Sequence, residues 1–106
     1  IMFTLTQELR DTIVAHDKFR EAFRAGNVQP EPANPWPELL AEMVKAISSV
    51  EISSGHPEEL CIEYIESYAD DNSFYDHIRA RYNVGAIDAQ SIVEELKPFS
   101  ALRQYA

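Results

Sequence analysis

Apolar residues recur along most of this chain at spacings of three and four, which is the signature of amphipathic helices; period-two alternation is scarce. The clearest case is PEELCIEYIESYADD, Pro57 to Asp71. At about 100° per residue, Leu60, Cys61, Tyr64, Ile65 and Tyr68 fall on one side of such a helix, and Glu59, Glu63, Glu66 and Asp70 fall on the other. One side asks for a core and the other offers a column of carboxylates to water.

The same period predicts a first helix over Leu5–Ala25, with Thr4 as cap, Gln7 completing a capping box and Gly26-Asn27 as the left-handed stop. Leu5, Leu9, Ile13, His16, Phe19 and Phe23 make its stripe, which reads His16 as a core residue with a buried partner. A second helix starts near Pro37, carries Leu39, Leu40, Met43, Ile47 and Val50 inward and runs to Ser49–Ile52. Ser53–His56 reads as a turn, with His56 at the start of the third helix. Asp70, Asp71 and Asn72 interrupt the pattern before a fourth helix, Ser73–Tyr82, which Asn83-Val84-Gly85 ends. Asp88 is the expected cap of a fifth, closed by Lys97 ahead of Pro98, with Ile87 and Ile92 as a hydrophobic staple. Phe99, Leu102 and Tyr105 then suit one last helical turn.

Residues 26–37, GNVQPEPANPWP, hold four of the six prolines and predict an extended connector rather than a helix. Trp36 within it is either a lid on the core or an exposed docking residue. The reading is therefore all-α: a single domain, residues 1–106, comprising helix 1 (1–25), the proline-rich connector (26–37) and an acidic bundle (38–106), about five helices in all.

Composition sharpens this picture in two ways. A hydrophobic content of 45% is ordinary for a folded domain, so the acidity does not imply disorder. The net charge of −9 is also lopsided. Residues 1–30 carry four acids and four bases; residues 31–106 carry fourteen acids against five bases, which accounts for the whole excess. Between Lys45 and Arg79 there are eight acids and no Lys or Arg. Such a field repels nucleic acid backbones and anionic membranes and attracts basic proteins. Met2 reads as the natural start, and the absence of a signal sequence or long apolar run gives a cytoplasmic expectation.

Signatures of chemistry are missing. Cys61 is the one cysteine and lies on an apolar face, so neither a disulfide nor a zinc site is expected. No histidine has an acid three residues before it, as a di-metal carboxylate bundle requires, and no metal or cofactor is expected. Asp76 and His77 are sequence neighbours that diverge on a helix and make no acid/base pair by themselves. The segment Tyr82–Leu96 has the length of a helix-turn-helix, but its second helix carries Asp88, Glu94 and Glu95 where a DNA reader needs donors. An enzyme would need a site assembled from distant groups such as His16, His56, His77 and Tyr64, and no catalytic residue is assigned.

The carboxylate column is the remaining candidate. A bare solubilising face is its plainest account. Yet like charges at i,i+4 cost a few tenths of a kcal/mol each, and no lysine relieves them here. Glu59 to Asp70 would span roughly 16 Å, with neighbours about 5–6 Å apart, a spacing near that of phosphates on a nucleic acid strand. The expected function is a non-enzymatic, acidic protein-binding domain, an inhibitor or accessory protein docking on a basic partner, with nucleic-acid mimicry against a nucleic-acid-binding protein as its sharpest form. Immunity proteins, antitoxin-like inhibitors and phage anti-defence proteins fit the same physical description, without a shared motif. The expected contact residues are Glu59, Glu63, Glu66, Asp70, Asp71 and Trp36. The alternative is a helical adaptor or complex subunit that binds through an apolar patch around Trp36, with Phe99 and Tyr105 as further anchors.

Overall fold

The computed structural model describes residues 3–50 and 57–105. Within them the chain forms five α-helices and no strand: α1 (Gln7–Arg24), α2 (Trp36–Ala46), α3 (Pro57–Glu66), α4 (Asp71–Arg81) and α5 (Ala86–Leu96). A 3-10 helix (Lys97–Tyr105) follows α5 without a break. The expected turn at Ser53–His56, including His56, lies outside the described residues.

Helix boundaries follow local chemistry, with corrections. Thr6 caps α1, not Thr4: its hydroxyl oxygen accepts from the Leu9 N–H at 3.1 Å, while Gln7 donates forward to Asp11. Gly26, at φ 86°, turns the chain left-handed, and the Asn27 N–H closes back on the Ala22 carbonyl at 2.9 Å. α2 opens one residue early, where the Asn34 side-chain oxygen accepts from the Trp36 N–H, and ends at Ala46 rather than Ser49–Ile52. α3 stops at Glu66, so Asp70 is not part of its acidic face. Asp70 instead caps α4, accepting from both the backbone N–H and the hydroxyl of Ser73. The cap of α5 is Gly85, with Asp88 inside the first turn, and no staple forms because Ile87 is 82% exposed.

The core is built from α2 against α3, α4 against α5, and the 3-10 helix against α3 and α5. Leu60, Cys61 and Tyr64 of α3, Phe74 and Ile78 of α4, and Ile92 and Leu96 of α5 are fully buried within it. In the 3-10 helix the spacing of three matches three residues per turn, which puts Phe99 and Leu102 in the core and Tyr105 half-buried beside them.

α1 packs more loosely than the other helices. Ile13 and His16 are buried, and Leu5 and Leu9 lie against the core; Phe3, just ahead of the helix, stacks on Phe99 at 4.5 Å. Its last turns outrun the bundle: Phe23 is 69% exposed, so the apolar stripe read from Leu5 to Phe23 is longer than the core that receives it. An 18-residue helix is about 27 Å long, which accounts for much of the 47 × 29 × 22 Å shape.

Candidate functional site

α3 is amphipathic as its sequence requires, but its polar side is not a free ladder of charge. Glu59 and Glu66 are exposed. Glu63, midway between them, leans toward α4 with only 20% of its side chain exposed. One of its oxygens accepts from the Tyr82 hydroxyl, and the other meets His77 Nε2. His77 in turn stacks on Tyr68 at 4.7 Å and receives the edge of Tyr82. Burial, and then the bond to Glu63, pushes the Tyr82 phenol well above its ordinary value, so it stays a donor. Glu63 is thus a tie between α3, α4 and the turn after α4, and its expected place among the solvated carboxylates is corrected.

Asp71 is likewise taken up internally. Its Oδ1 accepts from the Tyr64 hydroxyl at 2.9 Å and from Arg103 Nη1 at 3.1 Å. Arg103 also donates through Nε to the Tyr64 carbonyl at 2.9 Å, and its guanidinium lies 3.9 Å above the Tyr64 ring. One side chain of the 3-10 helix therefore clamps the C-terminal end of α3 to the first turn of α4. Burial and the Asp71 bond raise the Tyr64 phenol above its usual range. Asp70 remains exposed, and the two bonds from Ser73 hold its carboxyl below the usual value.

Trp36 is half-buried and packs against the core as a lid, with part of its surface still open. It forms part of the wall of a cleft of about 570 Å³ between α1, α2, α3 and the end of the 3-10 helix. His16, Arg20, Leu40, Met43, Glu66 and Tyr105 share that wall. The structure thus brings Trp36, Glu66 and Tyr105 to one place and leaves Phe99 out: Phe99 is buried, so it is no anchor of an apolar patch. His16 is buried as expected, but the expected partner is missing, since Nδ1 has none among the described residues.

The groups considered for catalysis have separate duties. His77 is bonded to Glu63, Tyr64 to Asp71, and His16 lines the cleft. Cys61, on the same wall, is fully buried, and its thiol is pushed up to about 12, mainly by burial. Among the described residues no group of three or more His, Cys, Asp or Glu is placed to hold a metal ion, and no helix is long and apolar enough to cross a membrane.

The ties through Glu63 and Arg103 link residues 14 to 39 positions apart and have no local signal. The cleft had a partial one, because His16 and Arg20 sit four apart and so share a face of α1. No protein-family model matches this chain, and no curated protein or solved structure matches it either.

Proposed function

We propose that this domain is a non-enzymatic binding protein that docks its acidic surface on a basic protein partner, as an inhibitor or accessory subunit. One observation carries the reading. The exposed charges described between Lys45 and Arg79 are all negative: Glu58, Glu59, Glu66, Asp70 and Asp76. The two contacts between acids and basic side chains found among the described residues use other acids, Glu63 with His77 and Asp71 with Arg103, and leave these exposed carboxylates unpaired.

The contact set accordingly centres on Glu59, Glu66 and Asp70, with Trp36 beside Glu66. Glu59 and Glu66 are seven residues apart, about 10 Å along the helix, so the reading needs a diffuse field and not an even, phosphate-like ladder. Such a field acts mainly on the association rate and fades with salt, the screening length being about 10 Å at 0.1 M.

A pull-down from native lysate at low and high salt identifies the partner, and stopped-flow association then tests the surface. Reversing both Glu59 and Glu66 to lysine should slow association at low salt by roughly tenfold or more while leaving the melting curve in place. An unchanged on-rate, or binding indifferent to salt, overturns the proposal. The adaptor alternative, with Phe99 in the core, retreats to Trp36 and Tyr105 inside the cleft.

A further inference from the structure

We propose that this domain pairs with a second copy of itself, the far end of α1 in each copy entering the cleft of the other. The large apolar residues most exposed among the described ones are Phe23, Val28, Ile62 and Ile87. Phe23 stands near the end of α1, Val28 follows in the connector, and Ile62 lines the cleft. Phe23 comes seven residues after His16, so the two share one face of α1, about 10 Å apart along its axis. His16 lines the cleft, and Phe23 is that face continued past the edge of the bundle. A protruding aromatic side chain and an open, mostly apolar socket therefore adjoin on one molecule. A patch holding both parts is self-complementary under a two-fold axis, which uses each part twice.

Charge says what enters the socket. Over the last seven residues of α1, Lys18, Arg20 and Arg24 outnumber one acid, Glu21. None of these three bases makes an ion pair among the described residues. The helices on the other side of the cleft have the opposite sign: α2 and α3 expose Glu38, Glu42, Glu58, Glu59 and Glu66 against Lys45 alone. Arg20 and Glu66 both line the cleft, and in a two-fold pair each meets its counterpart on the other copy. Two chains of net charge −9 repel each other in most orientations, but this one sets a basic helix end on an acidic rim twice. Pairing needs no foreign basic partner: it stands on Phe23 and the cleft, and Phe23→Ser leaves every exposed acid of the docking surface in place.

Sedimentation velocity of the full chain from about 10 μM to about 1 mM reads the association. We expect a reversible equilibrium between one copy and two, and nothing larger, because a two-fold contact closes on itself. Trp36, the one tryptophan, is in the cleft wall, so its emission should shift over the same concentrations. Phe23 is 69% exposed in the single chain, so Phe23→Ser should keep the melting curve and weaken pairing at least about tenfold. Arg20→Glu should weaken it about three- to tenfold, and adding Glu66→Arg should recover part of that loss. A chain still single at about 1 mM, open-ended growth, pairing untouched by Phe23→Ser, or a double reversal no better than Arg20→Glu overturns the proposal. Should the variants fail to fold, unmoved Trp36 emission in the unaltered chain across the same concentrations overturns it equally.

Discussion

Removing the Glu63 carboxylate tests the claim that the middle of the acidic face is a structural tie. Glu63→Ala takes away both partners at once: the Tyr82 hydroxyl and His77 Nε2. Hydrogen bonds to a charged group contribute about 1.5–3 kcal/mol each when one side is deleted and the other stays buried. Tyr82 is buried, but the His77 and Glu63 side chains keep 18% and 20% of their surface, so water takes over part of the loss. A total near 2 kcal/mol follows, about 10 °C in Tm for a domain of this size. Glu59→Ala and Glu66→Ala, one turn to either side on exposed positions, should stay within about 0.5 kcal/mol of the parent and can gain slightly as like-charge repulsion is relieved. Thermal melts followed by circular dichroism, with urea titrations as a second measure, compare the three variants. Pairing Glu63→Ala with Tyr82→Phe should reveal a coupling of about 1 kcal/mol, because the two residues share one bond. If all three alanine variants melt alike, Glu63 is an ordinary surface acid and the described tie is wrong.

Three further outcomes follow from the same geometry. Arg103→Ala should cost about 2–3 kcal/mol in urea titration, since it strips Asp71 and the Tyr64 carbonyl of a donor together; a loss below about 0.5 kcal/mol would dismiss the clamp. The Asp70 carboxyl is held below its ordinary value, so its charge favours the folded state above the unfolded pKa of about 3.9, and that advantage is lost as pH falls below it. The melting temperature of the parent relative to Asp70→Asn should therefore be higher at pH 7 than at pH 3, and a pH-independent difference would contradict the cap. Cys61, with its thiol pushed up to about 12 by burial, should react with a thiol reagent at pH 8 at least about a hundredfold more slowly in the native protein than in urea; equal rates would place it at the surface.

The five helices were legible because periodicity and stop signals are local properties. Gly26 ends α1 as its sequence demands, and Phe99, Leu102 and Tyr105, spaced by three, already fit the 3-10 helix better than an α-helix. The errors fell where two neighbouring residues can do one job. Thr4 and Thr6 are both capable caps, and Gly85 displaces Asp88 because the chain already turns helical at Ala86. The surface was less legible. A helical wheel puts Glu63 with Glu59 and Glu66, and nothing within a turn or two says that His77 and Tyr82 will arrive to claim it. The cleft was hidden for the same reason: it exists because α1 rides loosely on the bundle, and looseness is decided by tertiary packing.

The Arg103 clamp also bears on how the domain matures as it is made. Its partners, Tyr64 and Asp71, lie 39 and 32 residues upstream, so a chain emerging from its N-terminal end has α3 and α4 in hand long before their fastener exists. Until the 3-10 helix is made, the Tyr64 carbonyl and the Asp71 carboxylate have only water in place of Arg103. The closing of α3 on α4 therefore depends on nine residues made after both helices.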